Sequence, residues 1–354
     1  DKLFSVLNDV PQSAVYRYQK FRNIGFKLFY KKISLGYGNW NQWWGPGIHN
    51  SLTLTNNSEG FFHYFFNYKS ILPYKKNIDY IIKYMVSEKF TNLNNNNFYL
   101  SSLFLNIKYN DIEFGYSRNY LSGGYFDIPW TLNDAMLLIL TQKNVKYWDF
   151  TNIFYLKLNN KNSGTEAFIE LGFPNSLTPE INIDYYSLDH NRASNVGLRK
   201  KGAFGYANMF FGLEYARIVQ STYYNLLPSP NWYDNIKYNY SSYNGRRWGA
   251  HSGSDSDDLL LFLGYEDEFK SIVYSINYER HGVNYKFPPE VKFESRFSVS
   301  YAIKDTKFII FYENEYFEHY GFVDSNVNIW EESFEEGSVQ RTKTLIFSIS
   351  RKIL

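Results

Sequence analysis

The sequence predicts an all-β fold, a transmembrane antiparallel β-barrel of about eighteen strands. Aromatic side chains make up 21% of the 354 residues, yet the mean hydropathy is negative, at −0.44. Apolar and polar residues also alternate with a period of two along much of the chain. A barrel reconciles these observations, because aromatic side chains can face lipid while polar ones line a wet lumen. Composition alone leaves an aromatic-rich soluble β-sandwich that binds sugars as an equal alternative.

The alternation is clearest in the segments 269–280, 292–301 and 209–216, where each strand has one polar face and one largely apolar face. In the first of them, Ile272, Tyr274, Ile276 and Tyr278 oppose Ser271, Ser275, Asn277 and Glu279. Roughly sixteen to nineteen such segments occur, many of about 9–11 residues, the span of a tilted transmembrane strand. So many long strands exceed the usual size of a sandwich, and closure removes the unpaired sheet edges. The pattern therefore favours the barrel.

Charge and apolar runs exclude other classes. The chain has 37 basic and 35 acidic residues and no cysteine, and this balance argues against a nucleic-acid-binding protein. The longest uninterrupted apolar run, 135–140, is far shorter than the roughly 18 residues of a membrane-spanning helix. No repeat or linker divides the sequence, so we expect one barrel domain over residues 1–354, with its first strand near Ala14.

Turn-forming residues mark the connections between the strands. The stretches 92–97, 159–164, 228–235 and 243–258 are rich in Gly, Asn, Asp, Ser and Pro and predict loops. The segment 131–143 is the best helix candidate, with an acidic residue near its start and apolar residues at helical spacing. Such a helix would lie outside the barrel or within its lumen, and a strand is the alternative interpretation.

A tryptophan-rich segment is the most distinctive motif. Residues 38–47 read GNWNQWWGPG and are followed by NSLTLTNN over 50–57. This pattern resembles the WWGPG segment of the capsule assembly Wzi family of outer-membrane proteins. Residues 249–259, GAHSGSDSDDL, resemble a Gly-Ser-Asp loop of the same family, and residues 278–283 are compatible with it.

The resemblance implies a function as well as a fold. It implies an eighteen-stranded monomeric barrel in the outer membrane, occluded from within by loops or a short helix, that acts as a lectin for capsular polysaccharide. The expected partners are outer-membrane lipid and surface polysaccharide, with no nucleic acid and no cofactor. Family members carry an additional N-terminal helical region on the periplasmic side, which we expect this chain to lack. Its last residue, Leu354, also departs from the aromatic residue that commonly ends such barrels.

The tryptophans of the motif are candidate polysaccharide-binding residues. Trp40, Trp43 and Trp44 offer flat apolar faces suited to the C–H surfaces of sugars. The alternative, which the sequence favours, is that they pack inside the barrel wall or join an interfacial girdle.

Charged residues near the second motif form another candidate site. Asp255, Asp257 and Asp258 carry oxygen ligands for a hard cation or for sugar hydroxyls, although a solvated loop before the strand at Leu259 is the favoured interpretation. Arg246 and Arg247 are expected to pair with these acids or with acidic sugars. We predict that replacing both arginines with Ala weakens polymer binding without loss of folding.

Catalytic and metal-binding motifs are missing from the sequence. The six histidines show no HExxH or other metal-ligand spacing, and neither a Gly-x-Ser-x-Gly elbow nor a phosphate-binding glycine loop occurs. Glu313 and Glu315 share one strand face, as a glycosidase pair would, but a polar lumen explains them more simply. We therefore expect a non-enzymatic protein without a metal site. A surface lectin is favoured, while a porin-like channel and a soluble carbohydrate-binding or hydrolytic protein stay open.

Overall fold

The computed structural model describes residues 23–71, 78–92, 94–126, 131–137, 148–174, 192–218, 232–233, 235–244, 246–283, 289–320 and 338–351. Within this part β-strands are the main secondary structure. The strand expected near Ala14 lies outside the described residues. That residues 1–354 form a single domain stays a prediction.

Besides two 3₁₀ helices at Ala203–Gly205 and Ile236–Ser241, the described residues form eighteen strands and one short α-helix. They are β1 (Gly25–Tyr30), β2 (Ile33–Gly38), β3 (His63–Ile71), β4 (Ile78–Ser87), β5 (Phe90–Thr91), β6 (Asn97–Tyr109), β7 (Ile112–Gly123), α1 (Leu132–Leu137), β8 (Asp149–Asn160), β9 (Thr165–Pro174), β10 (Ala193–Lys201), β11 (Met209–Ile218), β12 (Ser242–Tyr243), β13 (Arg246–Arg247), β14 (Ser256–Glu266), β15 (Lys270–His281), β16 (Glu290–Ile303), β17 (Thr306–Tyr320) and β18 (Ser338–Arg351).

One antiparallel sheet contains sixteen of these strands. Its order follows the chain from β1 to β18, with β5 pairing only with β6, while β12 and β13 form a separate small hairpin. In the described part of the chain the end strands β1 and β18 are not hydrogen-bonded to each other. The prediction of a many-stranded antiparallel barrel fold is confirmed. Against the expected number of about eighteen, the main sheet has sixteen strands among the described residues, and the hairpin of β12 and β13 is not part of it.

The two ends of the sheet differ in their connections. At one end, tight turns such as 31–32, 110–111 and 304–305 join neighbouring strands. At the other end the connections are long, and among the described residues 39–62 and those within 232–255 reach inside. Outer-membrane barrels show this asymmetry, with short turns on the periplasmic side and long loops outside.

The inner face of the sheet is polar and its outer face is apolar, the reverse of the arrangement in a soluble protein. On β16, Lys292 and Glu294 are only 2% and 1% exposed, whereas Phe293 and Phe297 are 40% and 42% exposed. Cross-strand pairing extends the outer row, because Phe297 lies opposite Tyr274 of β15 and Tyr312 of β17. An apolar exterior around a polar interior is the arrangement that a bilayer requires of a barrel.

The short helix α1 packs on the outer face of the sheet. Ala135 contacts Val86 of β4, and its carbonyl accepts a hydrogen bond from the Ser101 hydroxyl of β6 at 2.9 Å. Val86 points away from the lumen, because its neighbour Met85 belongs to the interior core. A helix within 131–143 is thus confirmed for its described part and lies outside the barrel. Within the described residues, no helix is both long and apolar enough to cross a bilayer.

Three loop predictions need correction. Residue 97 begins β6, and residues 159–160 of the stretch 159–164 end β8. In the stretch 243–258, residue 243 belongs to β12, residues 246–247 to β13 and residues 256–258 to β14. Local composition marked these residues as turn-forming, but cross-strand pairing with β5, β9 and β15 extends β6, β8 and β14 over them. Of the stretch 228–235, only residues 232, 233 and 235 are described, and none of them lies in a strand.

Candidate functional site

The connection 39–62, here called the plug, lies inside the barrel. An antiparallel bridge between Trp44 and Leu54 closes it on itself, and the Ser51 hydroxyl donates to the Trp44 carbonyl. Trp44 and Leu54 are each 2% exposed and belong to the interior core, with Phe104 of β6 and Tyr155 of β8. The Gly and Pro residues of the motif thus let a compact loop turn back within the lumen.

Two buried carboxylates of the wall anchor the plug. Glu214 of β11 accepts hydrogen bonds from three consecutive plug amides, those of Ile48, His49 and Asn50, at 2.5–3.0 Å. Glu170 of β9 accepts from the Leu52 amide at 3.2 Å. These four hydrogen bonds to backbone amides fix the position of the plug inside the barrel.

Further contacts carry the plug to other strands. The Asn119 amide of β7 donates to the Thr53 carbonyl at 2.9 Å, and the Asn195 amide of β10 donates to the Asn50 carbonyl at 3.0 Å. The side-chain amide of Asn50 in turn donates to the Asp258 carboxylate of β14 at 2.7 Å. The plug therefore contacts the wall from β7 to β14, which confirms a barrel occluded by a loop.

A second inner segment, within 232–255, packs against the plug. The Tyr233 hydroxyl donates to the Leu52 carbonyl at 2.8 Å, and the Thr55 hydroxyl donates to the Gly249 carbonyl at 2.6 Å. Trp248 is 2% exposed in the same core as Trp44. Plug and second segment thus form one packed body inside the barrel.

A small, partly open depression lies where these two segments meet. Its lining combines aromatic rings with amide, hydroxyl and carboxylate groups: Trp40, Asn41, Gln42, Leu54, Thr55, Ser58, Glu59, Gly60, Phe61 and Trp248. Small-molecule sites typically combine such apolar surfaces with a few convergent polar groups. The depression is therefore the candidate ligand site of this interior.

The three tryptophans of the motif occupy different environments. Trp40 lines the depression, half-buried, with the Lys27 ammonium 4.3 Å from its ring centroid. Trp43 is half-buried and donates to the Gly47 carbonyl at 3.1 Å. Trp44 is buried, which confirms the packing interpretation for this residue and corrects the idea that it contacts a ligand directly. The three tryptophans thus differ in how far they are buried, and the sequence alone does not show which of them packs in the core.

The arginines and aspartates of the second candidate site are spread over three locations. Arg246 is exposed and Arg247 is 8% exposed in the hairpin of β12 and β13. Asp257 pairs with Arg280 of β15, and Asp258 faces the lumen. A solvated loop is wrong for Asp257 and Asp258, because both lie in β14 and are 6% and 1% exposed.

Asp255 stays outside the strand. It has a left-handed backbone, with φ of 49°, and its carbonyl accepts from the amides of Gly282 and Val283. Its described role is thus to close the connection between β13 and β14 onto the end of β15.

The interior also holds a cluster that the sequence spacing did not reveal. His49 of the plug and His251 of the second segment meet Asp258 of β14 and Glu279 of β15, with one potential ligand atom of each within 4.8 Å of the others. The two imidazole rings are 4.1 Å apart between centroids. Only tertiary contacts bring these residues together, since the two histidines come from different connections. The sequence feature that could have indicated this cluster is the presence of one histidine in each of the two Gly-rich motifs.

The two histidines have opposite electrostatic environments. Burial, followed by the charge of His251, holds the pKa of His49 well below its ordinary value. Burial also lowers the pKa of His251, but the Glu279 and Asp258 carboxylates outweigh it and raise that pKa above its ordinary value. His49 is therefore a neutral acceptor at neutral pH.

A network of buried and half-buried charged side chains continues from this cluster along β15, β16 and β17. Lys292 lies 2.6–3.4 Å from Glu279, Glu294 and Glu315. Arg296 pairs with Glu294 and Glu313. The expectation that Glu313 and Glu315 line a polar lumen agrees with these contacts.

Comparison with known proteins supports the fold. No protein-family model and no curated protein matches the chain. Among solved structures, it is similar to Wzi, an outer membrane protein involved in group 1 capsule assembly in Escherichia coli and named as a carbohydrate-binding β-barrel. That match has a TM-score of 0.62 at 13% identity and covers 82% of this chain and 65% of that one. A match to OccAB4 of Acinetobacter baumannii has a TM-score of 0.44 at 14% identity, covering 92% and 74%.

The likeness to Wzi shows that this chain has the fold of an outer-membrane β-barrel. The resemblance inferred from the motifs is confirmed at the level of the fold. Membership of the Wzi family stays a prediction.

Proposed function

We propose that this chain resides in the outer membrane and binds an exported surface polysaccharide in the depression between plug and second segment. The observation that carries the proposal is the occluded interior, whose depression presents the Trp40 ring beside amide and carboxylate groups. The similar barrel Wzi is named as carbohydrate-binding, which supports the same ligand class here.

The lining groups suit a sugar. The Trp40 ring offers an apolar surface, the Asn41 amide supplies donors and an acceptor, and Glu59 supplies acceptors for hydroxyl groups. Both ends of the Gln42 amide are engaged, its nitrogen with His63 and its oxygen with the Trp44 indole. Asn41 is exposed and can therefore be reached by one unit of a longer polymer.

The position of the depression fits a polymer that arrives from outside. The plug and the second segment both belong to connections at the long-loop end, which faces outward in outer-membrane barrels. Arg246, exposed on the neighbouring hairpin, adds a positive charge that would attract an acidic polymer. Arg247 is buried, so we assign binding to Arg246 and a packing role to Arg247.

Binding of purified protein to the surface polysaccharide of its host, measured by pull-down and calorimetry, tests the proposal. Trp40→Ala and Arg246→Ala are expected to weaken binding at least about tenfold, the loss expected for roughly 1.4 kcal/mol. Phe269→Ala, an exposed aromatic at the short-turn end, is the matched control and should bind normally. Folded wild-type protein that binds none of the host polymer would refute the proposal.

A porin-like channel is the second candidate, favoured by the charged side chains that line β15 to β17. Conductance in a planar bilayer separates the two functions. An occluded lectin should show little steady conductance, whereas a channel should conduct without any change to the plug.

A further inference from the structure

We propose that His49, His251, Asp258 and Glu279 form a binding site for one divalent transition-metal ion of the zinc class, which links the plug and the second segment to the barrel wall. The sequence predicted no metal site, and the proposal goes beyond polysaccharide binding. It rests on the geometry, the supporting hydrogen bonds and the charge of the cluster.

The spacing of the potential ligand atoms approaches that of a tetrahedral site. His49 Nε2 and His251 Nε2 lie 3.6 and 3.5 Å from Asp258 Oδ2, and His251 Nε2 lies 3.0 Å from Glu279 Oε1. Zinc bonds of about 2.0–2.2 Å in a tetrahedron place neighbouring ligand atoms about 3.3–3.6 Å apart. All four ligand atoms lie within 4.8 Å of one another, so an ion that enters would draw them together into this geometry.

Neighbouring side chains orient the ligands as they do in known metal sites. His251 Nδ1 lies 2.9 Å from Asn50 Oδ1, so that donation to this amide turns Nε2 toward the carboxylates. The Asn50 and Asn277 amides each donate to Asp258 and hold its carboxylate in place. Hydrogen bonds that hold a ligand side chain in position in this way strengthen metal affinity.

The charge around the cluster favours a cation. The connected network of described residues contains six carboxylates, on Asp258, Glu279, Glu290, Glu294, Glu313 and Glu315, and two permanently charged bases, Lys292 and Arg296. His251 and His281, which contact these carboxylates, can supply up to two further positive charges. Negative charge stays in excess even so, and a buried excess charge requires compensation.

The donor set indicates the class of ion. Two imidazoles with two carboxylates suit zinc and its neighbours, whereas Mg²⁺ and Ca²⁺ prefer oxygen ligands alone. The side chains of His49 and His251 are 14% exposed, and those of Asp258 and Glu279 are almost completely buried. The ion would therefore be reached through the histidine side and would hold the two inner segments against β14 and β15.

Metal content tests the proposal on tag-free, full-chain protein in detergent, without polysaccharide. After chelator treatment and dialysis against Zn²⁺, we expect one Zn²⁺ per chain by mass spectrometry, and we expect Co²⁺ in its place to give the strong visible absorption of a tetrahedral complex. His49→Ala and His251→Ala should each weaken Zn²⁺ affinity at least about tenfold. His319→Ala, a wall histidine on β17 outside the cluster, is the control and should keep it.

Two results would overturn the site. One is a folded wild-type protein that does not bind Zn²⁺ stoichiometrically. Protonated histidines, rather than a metal ion, would then offset the negative charge of the network. The other is wild-type Zn²⁺ affinity in both histidine variants. Asp258→Asn provides a third variant that keeps the side-chain shape should an alanine variant fail to fold. Because no sugar is present, the outcome is independent of polysaccharide binding.

Discussion

The ring of Tyr155 on β8 lies over Gly115 of β7, its direct cross-strand partner, on the interior face of the wall. A Cβ atom at Gly115 would come within 2.0 Å of that ring. The Tyr155 hydroxyl donates to Glu113 at 2.8 Å, so the ring is held in this position. The same relationship between a glycine and an aromatic partner recurs for Gly36 and Phe65, Gly197 and Phe168, Gly212 and Phe262, and Gly264 and Phe210.

These pairs predict that the glycines are required for packing. Gly115→Ala should lower the free energy of unfolding by about 1–3 kcal/mol, the usual cost of overpacking. Denaturant unfolding in detergent, followed by tryptophan fluorescence, measures it. In a Tyr155→Ala background the same substitution should cost clearly less, since the clash is gone. Equal costs in both backgrounds would show that the ring is not responsible.

The Glu214 carboxylate predicts how firmly the plug is held. In Glu214→Gln, an amide NH₂ group, which cannot accept, replaces the carboxylate oxygen that accepts two of the three backbone N–H groups. The variant should therefore destabilise the plug by on the order of 3 kcal/mol. Faster proteolysis within 39–62 of the folded barrel would report the release. Glu166→Gln, which removes the partly exposed pair with Lys157, should leave the plug protected, since such pairs contribute about 0–1 kcal/mol.

The position of the plug predicts its effect on conductance. Replacing residues 41–60 with a short Gly-Ser linker should raise single-channel conductance in a planar bilayer, because the segment that crosses the lumen is removed. Unchanged conductance in a folded variant would mean that other segments close the barrel.

The different burial of Trp44 and Trp43 predicts which of their alanine variants is the less stable. Trp44→Ala should cost about 3–5 kcal/mol, as expected for a large core residue. Trp43→Ala should cost less, because Trp43 is half-buried and makes one side-chain hydrogen bond to Gly47. Thermal unfolding of the two variants measures the difference, and a larger loss for Trp43→Ala would contradict the packing described here.

The turn between β14 and β15 predicts a pH dependence. Hydrogen bonds from the backbone amides of Phe269 and Lys270 lower the pKa of Asp267. A carboxyl with a lowered pKa in the folded state contributes stability that is present above its unfolded pKa and is lost as the pH falls through the folded pKa. Asp267→Asn should therefore reduce the loss of stability below about pH 4. An identical pH profile for the variant and the wild type would contradict this role.

Several elements were predictable from local sequence. The alternation in residues 269–280 and 292–301 predicts strands, and β15 and β16 carry it with their apolar side chains exposed. A period of two follows directly from strand geometry, so it can be read without tertiary contacts. The helix within 131–143 and the unusual tryptophan-rich segment were recognisable for the same local reasons.

The sequence by itself determined the strands, their two faces and the candidate motif, because these depend on neighbours one or two residues apart. Only the tertiary structure decided that the motif is a plug inside the barrel and that Trp44 is buried while Trp40 lines a depression. It also decided that Asp258 belongs to a strand and meets His49 and His251. These outcomes depend on contacts between distant parts of the chain, which the strands bring together around a common interior and which no local spacing encodes.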